Sequence, residues 1–257
     1  MQRVGPPYDG RVPVTPSSMP ESLPEGDAKV TAVRGMFDAI APRYDLVNRI
    51  MTFGLDVRWR RRTVRDLALG RGSVVLDLAA GTGDFCRELE AGGHHPIGVD
   101  LSYGMLAAAR TDAPLVHADI LRLPVPAASV DAAVCGFALR NLVELPAFFA
   151  ELARVVRPGG RIALLEVATP ESSVLRLGHG LYFGKVVPRI GGLLSDAAAY
   201  RYLPRSVAYL PAPAALVAQV EAAGFEDVRR TLLTGGASQL LIGTRSMPAR
   251  PPRQAPG

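Results

Sequence analysis

Residues 74–85 read VVLDLAAGTGDF, and this stretch decides the fold of the 257-residue chain. Four apolar residues interrupted only by Asp77 predict a β-strand that is buried on both faces, as strands of parallel sheets are. Gly81 and Gly83 predict a sharp turn into a helix, because a residue without a Cβ lets the backbone approach a ligand closely. Asp77 and Asp84 flank the turn and are expected to direct their carboxylates into one crevice. The stretch is therefore typical of a loop that binds a nucleotide cofactor.

The residues of this loop favour a cofactor without phosphates. A dinucleotide-binding loop follows the pattern G-x-G-x-x-G/A and places a pyrophosphate at the start of the helix. Here Cys86 occupies the third small position, and Asp84 lies where the phosphate charge would arrive, so that two phosphates would be repelled. A cofactor with a cationic amino-acid end, such as S-adenosylmethionine, has the matching charge. We therefore predict S-adenosylmethionine as the cofactor.

Two further acids at strand ends are expected to complete this site. The strand HPIGVD ends at Asp100, where a carboxylate can accept hydrogen bonds from both ribose hydroxyls. A third short strand, PLVHAD, ends at Asp119, within reach of the adenine amino group. The alternative is that these acids and Asp77 only cap helices, since Asp is a favoured N-cap residue. Ligand roles are favoured, because ligands of open α/β sheets bind at the carboxyl ends of the strands.

Composition indicates a soluble globular protein, with 48% hydrophobic and 21% charged residues. No apolar run approaches the length of a membrane-spanning helix. The first residues lack the apolar stretch of a signal peptide, so we expect a cytoplasmic protein. Cys86 and Cys135 have neither metal-binding nor redox spacing, so we expect two small core residues and no metal site.

The net charge of +5 raises the question of a polyanionic partner. The basic residues are spread along the chain, and the one dense run, RWRRR at residues 58–62 with Arg65 beyond it, has a helical pattern. We therefore expect no nucleic-acid partner. A solvated helix face explains the run, and the alternative is contact with anionic lipid headgroups at the inner face of the cell membrane.

One alternation of strands and helices fills residues 74–245 and predicts a mostly parallel sheet with helices on both faces. After the Asp119 strand, further strands are predicted from Val130 and from Arg161. One helix is predicted at residues 102–110, before the Asp119 strand, and another at residues 145–156, between the strands that start at Val130 and Arg161. The last two strands, DVRRTLL and SQLLIGTR, are expected to pair as a hairpin at the sheet edge.

The segments outside this alternation differ in character. Residues 1–30 and 246–257 are rich in proline and are predicted to be disordered. Residues 30–69 have apolar residues at helical spacing, which predicts either a cap over the cofactor crevice or helices packed on the back of the sheet. Residues 169–213 are too apolar for a solvent-exposed loop, and we expect them to form an insertion that covers the substrate.

Six segments taken together carry a family resemblance: MFDAIAPRYDLVNRIMTFGLDVRWRR, VLDLAAGTGD, FALRNL, RVVRPGGRIALLE, AYRYLPRSV and LTGG. Over about residues 33–245 the chain resembles the quinone-biosynthesis C-methyltransferases, which methylate demethylmenaquinol and the corresponding ubiquinone precursor. The glycine loop and RPGG are shared with many methyltransferases. The segments RYDLVNRIMTFGL, FALRN and AYRYLP are much more specific to this family.

The resemblance implies a class I S-adenosylmethionine-dependent methyltransferase at residues 31–245, with a Rossmann-like, mostly parallel seven-stranded sheet and an N-terminal helical cap. It implies that the cofactor is contacted by Thr82, Asp100, Asp119 and Ile120. We expect the remaining cofactor contacts at Asp77, Ala79, Gly81, Gly83, Leu101 and Gly136. It also implies that a prenylated naphthoquinol is faced by Tyr44, Arg140 and Asn141.

These three residues suggest a mechanism. Methylation of an aromatic carbon requires an electron-rich ring, which a hydroquinol provides once a hydroxyl is deprotonated. Arg140 is expected to stabilise the phenolate, and since a guanidinium is a poor base, proton removal is assigned to a water held by Arg140, Asn141 and Tyr44. The alternative role for Arg140 is a salt bridge with Glu144 at i+4 on a helix.

The chain departs from the family pattern in three places. Gly136-Phe137-Ala138 stands where the family has Ser-Phe-Gly, so that one hydroxyl beside the cofactor is missing, and Leu241 stands where the family tends to carry a His. The segment 194–196 looks one residue short.

Two rival functions are methylation of another quinol or of a soluble aromatic such as a polyketide, and a non-catalytic binding role on the same fold. The apolar insertion argues against the soluble substrate, and the intact acids argue against the binding role. The sequence leaves the prenyl length and a homo-oligomeric state open.

Overall fold

A computed structural model describes residues 25–170 and 205–247, together with Ser172, Tyr182 and Tyr202. In these ranges seven strands form one sheet: β1 Val74–Leu78, β2 His95–Asp100, β3 Leu115–His117, β4 Val130–Gly136, β5 Val156–Val167, β6 Phe225–Leu233 and β7 Ser238–Arg245. Their order is β3-β2-β1-β4-β5-β7-β6. Strands β1 to β5 are parallel, and β7 is antiparallel to both β5 and β6. The chain leaves β1 in one direction for β2 and β3 and returns on the other side for β4, so that a ligand crevice is expected at the carboxyl end of β1.

Helices cover both faces of the sheet. They are α1 Gly26–Ile40, α2 Tyr44–Thr52, α3 Leu55–Leu67, α4 Asp84–Ala91, α5 Tyr103–Ala107, α6 Leu145–Val155 and α7 Pro213–Ala222. Alternate residues of β1 enter different clusters: Leu76 packs with α6 and α7, whereas Val75 packs with α3 and α4. Since successive side chains of a strand point to opposite faces, the two clusters are the two sides of the sheet. The predicted sheet with helices on both faces is confirmed.

The N-terminal helices divide between the two alternatives that the sequence left open. Helix α3 packs on a face of the sheet through Trp59 and Leu67. Helices α1 and α2, with the turn between them, form a cap at residues 26–52, whose apolar side meets Met105 of α5. Asp38 of α1 accepts hydrogen bonds from the Ser102 hydroxyl at 2.5 Å and the Gly104 amide at 2.9 Å. Because these groups follow β2, the cap lies over the carboxyl edge of the sheet.

The structure corrects two predicted boundaries. Helix α1 begins at Gly26, ahead of the predicted end of the disordered tail, and the buried Lys29 donates a hydrogen bond to the Leu142 carbonyl at 2.9 Å. Strand β5 begins at Val156 and not at Arg161, because the Pro-Gly-Gly turn forms an irregularity within the strand. Residues 1–24 and 248–257, and most of the insertion predicted at residues 169–213, lie outside the described residues.

The predicted C-terminal hairpin and the predicted helix cap at Ser102 are found in the structure. The C-terminal strands pair as a hairpin whose β6 forms the sheet edge. Ser102 caps α5 by accepting a hydrogen bond from the Met105 amide at 3.1 Å, although α5 ends at Ala107, before the predicted end at Arg110.

Candidate active site

The loop after β1 has the backbone that its glycines predict. Gly81 and Gly83 have φ angles of 56° and 83°, in the left-handed region that favours glycine, and Ala79 shares this region with φ 57°. A Cβ at Gly83 would lie 2.7 Å from Cγ2 of Thr111, whereas one at Gly81 would meet no atom within 4 Å. Gly83 is therefore required by packing, and the loop at Gly81 borders open space that a ligand can approach.

Asp100 joins this loop to the next one. Its carboxylate accepts hydrogen bonds from the Gly81 amide at 2.7 Å and the Ser102 amide at 2.8 Å. Burial raises the pKa of Asp100, and the bonds from these two amides oppose that shift. A carboxylate has about four lone-pair positions, so two backbone donors leave capacity for ribose hydroxyls.

The loop after β3 lies at the same edge of the sheet. Asp100 is the register partner of His117, whose Nε2 lies 3.0 Å from the Leu101 carbonyl. Asp119 is exposed, and its carboxylate accepts a hydrogen bond from the Leu121 amide at 2.9 Å, while Ile120 is buried in the core. The structure therefore brings Asp119 to the edge that carries Asp100, and its contact with adenine stays a prediction.

Asp77 lies elsewhere than the sequence predicted. Its carboxylate is buried beneath the loop, where it accepts hydrogen bonds from the Cys86 amide at 3.1 Å and the Cys86 thiol at 3.3 Å. Burial raises its pKa to about 7, against the opposing effects of the Cys86 bonds. Asp77 thus fixes the start of α4 from below instead of facing the crevice.

Replacing Asp77 with asparagine is expected to change the pH dependence of stability. Because burial raises the folded-state pKa to about 7, the folded protein holds this proton more tightly than the unfolded chain, where the pKa is about 3.9. The stabilisation from the protonated carboxyl is present at about pH 5 and is lost as the pH rises through about 7, a loss of roughly 2–3 kcal/mol by about pH 8. Asparagine does not titrate and can still accept the Cys86 amide bond.

Urea unfolding of both proteins at these two pH values measures the effect. The free energy of unfolding of the Asp77→Asn variant, relative to the wild type, should increase by this amount between about pH 5 and about pH 8. A relative stability that does not change with pH would show that Asp77 has no raised pKa.

Asp84 is also placed differently from the prediction. It forms ion pairs with Arg49 of α2 at 3.2 Å, with Arg60 of α3 at 3.3 Å and with Arg87 of its own helix. Arg60 is itself buried and pairs with Asp56 at 2.8 Å. The charge of Asp84 therefore holds the cap and α3 against the loop and is not free for the cationic end of a cofactor.

A second contact between the cap and the loop is made by Thr82. Its buried hydroxyl donates a hydrogen bond to Asp45 of α2. A cavity of about 570 Å³ opens beside this contact, and its lining includes Leu46, Arg49 and Arg110. Thr82 thus lies where α2 meets the cofactor loop.

Among the predicted catalytic residues, Arg140 is held by both an ion pair and hydrogen bonds. It lies in a 3₁₀ turn after β4 and is only 5% exposed. Its guanidinium forms an ion pair with Glu166 at the end of β5 and donates from Nε to the Ser206 hydroxyl at 3.1 Å. Its backbone amide donates to the other oxygen of Glu166 at 3.2 Å. Glu144 is exposed, so the ion pair of Arg140 is with Glu166 and not with the predicted i+4 acid.

Asn141 and Tyr44 lie close to Arg140. The Tyr202 hydroxyl donates to Oδ1 of Asn141 at 3.3 Å. Tyr44 starts α2 and packs its ring edge-on against Phe37, with centroids 5.9 Å apart. Burial raises the pKa of Tyr44, an effect that the charges of Arg60 and Arg140 oppose. The structure therefore brings the three predicted residues together under the cap.

Three residues of this region were missed by sequence reasoning. Glu166, Ser206 and Tyr202 contact Arg140 or Asn141, and none was assigned a role. One signal was available for Glu166, because an acid at the end of an otherwise apolar strand lies at the ligand-binding edge of the sheet.

Two departures from the family pattern fall on core positions. A Cβ at Gly136 would lie 2.6 Å from Cε2 of Phe85, so that the glycine makes room for this ring. Leu241 is buried between the sheet and α7. The predicted contact of Gly136 with the cofactor stays a prediction, and the segment 194–196 lies outside the described residues.

Similar proteins of known family were found by sequence. Residues 25–245 match the ubiE/COQ5 methyltransferase family. The demethylmenaquinone methyltransferase of Thermus thermophilus is 45% identical over 221 residues, which cover 82% of this chain and all of that protein. The ubiquinone/menaquinone biosynthesis C-methyltransferase UbiE of Syntrophotalea carbinolica is 43% identical over 224 residues, which cover 84% of this chain and 94% of that protein.

Solved structures of low identity share the fold. The Haloferax volcanii protein bound to the Trm112 methyltransferase activator has a TM-score of 0.60 at 17% identity, covering 82% of this chain and 98% of that chain. Phosphoethanolamine N-methyltransferase 2 of Haemonchus contortus, solved with S-adenosylhomocysteine, has a TM-score of 0.56 at 13% identity. The match covers 74% of this chain and 53% of that chain. The predicted class I fold, methyltransferase activity and S-adenosylmethionine cofactor are confirmed. With its match over residues 25–245 and relatives above 40% identity, the chain belongs to the ubiE/COQ5 methyltransferase family.

Proposed function

We propose that this protein transfers a methyl group from S-adenosylmethionine to a ring carbon of demethylmenaquinol, which gives menaquinol. The observation that carries the proposal is a polar set at the carboxyl edge of the sheet: the Arg140–Glu166 pair and Asn141 lie beneath the cap, and Tyr44 of the cap faces them. The names of the Thermus and Syntrophotalea relatives support this substrate.

The residues around the glycine loop fit the cofactor. The loop leaves open space at Gly81, and Asp100 keeps lone pairs beyond its two backbone bonds. When bound, S-adenosylmethionine supplies a methyl group on a positively charged sulfur. Thr82 and Asp100 would hold it at the loop, with Asp119 beside the adenine.

Arg140 is the residue that would stabilise the deprotonated quinol. A guanidinium has five N–H groups, and the bonds to Glu166 and Ser206 engage two of them among the described residues. Another N–H can therefore donate to the quinol oxygen while the pair with Glu166 fixes the orientation of the group. A preorganised donor of this kind stabilises developing negative charge without the cost of reorientation.

The two tyrosines of the site act as hydrogen-bond donors in this proposal. Burial raises the pKa of both Tyr44 and Tyr202 above the ordinary value of about 10, so each keeps its proton at neutral pH. Neither can serve as the base. The hydroxyl proton of the quinol would pass to a water held by Arg140, Asn141 and Tyr44. After methyl transfer the methylated ring carbon would lose its own proton and the oxygen would regain one, which restores the aromatic quinol.

The substrate also suggests where the reaction takes place. A prenylated quinol is dissolved in the lipid bilayer, so the enzyme would act as a peripheral protein at the cytoplasmic surface of the cell membrane. In the ranges of the chain that the structure describes, none of the helices combines the length and apolar character needed to cross a bilayer.

A methyl-transfer assay with radiolabelled S-adenosylmethionine tests the proposal. Reduced demethylmenaquinone in detergent micelles and a short-chain analogue should both be labelled on the ring, whereas the oxidised quinone should not, because it lacks the hydroxyl that activates the ring. If a soluble phenolic substrate is labelled and both quinols are not, the proposed substrate is wrong. Cofactor binding without labelling of any aromatic compound would favour a non-catalytic role.

A further inference from the structure

Helix α2 exposes a row of large apolar side chains. Leu46, Ile50 and the following residue Phe53 are 58%, 40% and 78% exposed. Their spacing of four and then three residues places them on one side of the helix. The opposite side, with Val47 and Met51, is buried in the cap. Helix α2 is therefore apolar on two faces, of which only one is used by the protein core.

The conformation of Phe53 strengthens this observation. Phe53 ends α2 in the left-handed conformation with φ 53°, a position where Gly or Asn is favoured. A bulky aromatic residue at such a position is unfavourable for the folded protein by itself. Its ring lies 5.6 Å from that of Tyr182, yet most of its surface remains in solvent. The described residues thus leave most of this aromatic side chain available to a partner.

Cationic side chains flank the apolar row. On a helix with 100° per residue, Arg49 lies next to Phe53, and Arg43 ends the 3₁₀ turn just before α2. Both arginines are exposed, and the side chain of Arg49 is 45% exposed even while it pairs with Asp84. An apolar row between cations is complementary to a lipid surface with anionic headgroups, where the charges meet phosphates and the apolar groups enter the acyl boundary.

The basic run on α3 is less suited to this role. Arg61 pairs with Glu88 at 3.1 Å, and Arg62 pairs with Asp66 at 2.5 Å, as Arg49 of α2 pairs with Asp84, so ion pairing does not distinguish the two helices. Trp59 is buried and donates a hydrogen bond to Thr234 at 2.9 Å. Helix α3 therefore offers exposed cations, including Arg58 and Arg65, but no large exposed apolar side chain among them.

We infer that the row Leu46, Ile50 and Phe53 is the surface through which the protein docks on anionic membranes. The inference rests on the proposed function, since it names the partner from which the prenylated quinol would come. The same helix carries Asp45 and Arg49, which contact the cofactor loop. Docking by α2 would thus bring the cap and the mouth of the site to the lipid surface, and a prenyl chain would enter beside α2.

The double variant Ile50→Gln/Phe53→Asn tests the docking surface. Both replacements suit their backbone positions, because Gln is a good helix former and Asn tolerates the left-handed conformation, so the variant should fold. Binding to vesicles of phosphatidylcholine with phosphatidylglycerol, measured by co-sedimentation at low salt, should fall at least about tenfold. Wild-type binding should also weaken as salt is added.

Two control variants make the result specific. Met247→Gln removes an apolar side chain that is 67% exposed beyond β7, near Gly159 and away from the cap, and it should leave vesicle binding unchanged. Arg61→Gln/Arg62→Gln removes two of the four exposed arginines of α3, and it should reduce binding less than the α2 variant does. A larger loss with the α3 variant, or wild-type binding by the α2 variant, would overturn the assignment of α2.

A kinetic comparison separates this inference from the proposed function. The α2 variant should methylate a water-soluble short-chain quinol at the wild-type rate and a vesicle-embedded prenylated quinol several-fold more slowly. If the wild type methylates no quinol, the proposed function is wrong. The vesicle-binding comparison tests the docking surface independently of that result. If light scattering shows a wild-type dimer that the α2 variant converts to a monomer, the row is an interface between two copies and the membrane assignment is wrong.

Discussion

The Arg140→Ala variant is expected to turn over at least about 10²-fold more slowly than the wild type, with nearly unchanged affinity for S-adenosylmethionine. The reason is that the guanidinium stabilises charge that develops only when the quinol is deprotonated. Arg140→Lys should restore little activity, because one ammonium group cannot bond to Glu166, Ser206 and a quinol oxygen in the planar arrangement of a guanidinium. Single-turnover rates and calorimetric cofactor titrations measure the two quantities separately.

The buried partner of Arg140 makes a stability control necessary. Removal of the arginine leaves Glu166 as an uncompensated buried charge, which typically costs about 3–5 kcal/mol. The double variant Arg140→Met/Glu166→Gln carries no buried charge and should recover much of this loss without recovering turnover. The Glu144→Ala variant removes an exposed acid, and its stability and turnover should both be close to those of the wild type. If turnover returns together with stability in the double variant, Arg140 has only a structural role.

The Asp100→Ala variant is expected to bind S-adenosylmethionine tens of fold more weakly or worse. A carboxylate that accepts bonds from two ribose hydroxyls contributes on the order of 2–3 kcal/mol. Since Asp100 also accepts bonds from the Gly81 and Ser102 amides, part of the loss could come from the loops. The ribose contact is isolated by comparing the affinity for S-adenosylhomocysteine with the affinity for its 2′-deoxy analogue. The wild type should discriminate between the two and the variant should not; equal discrimination by both would refute the contact.

Much of the sheet could be predicted because its signals are local. The apolar run of β1, the glycine turn behind it and the Ser102 cap of α5 all depend on neighbours within a few residues. The start of β5 was placed too late because the Pro-Gly-Gly turn is read from sequence as a break between elements. In the structure Val130 pairs with Val156, before that turn, and Ala132 pairs with Arg161, after it.

The site was harder to predict, since its charges are paired across long stretches of chain. Asp84 was predicted to be open to a ligand because its arginine partners Arg49 and Arg60 lie on other helices. For the same reason Glu144, four residues away, was the predicted alternative partner of Arg140, whereas Glu166 on the neighbouring strand forms the ion pair. Periodicity identifies pairs within one helix, but it does not say which elements meet.

Periodicity also failed to distinguish the two apolar faces of α2. The helical spacing predicted for residues 30–69 includes Val47, Ile50, Met51 and Phe53 without distinction. In the structure Val47 and Met51 enter the cap core, whereas Ile50 and Phe53 remain exposed. An apolar residue on a helix does not reveal whether its partner is the protein or something outside it.

The close approach of Phe85 to Gly136 limits the order in which substitutions at these two positions could occur during evolution. A serine at position 136, as in the family pattern, would place its Cβ 2.6 Å from the Phe85 ring, and Phe85 is itself buried among the residues of α3 and α4. The two positions are therefore coupled: a smaller residue at position 85 must come first, and that step by itself leaves a cavity in the core. Each single substitution is therefore expected to be unfavourable, so that a hydroxyl beside the cofactor requires coupled changes at positions 85 and 136.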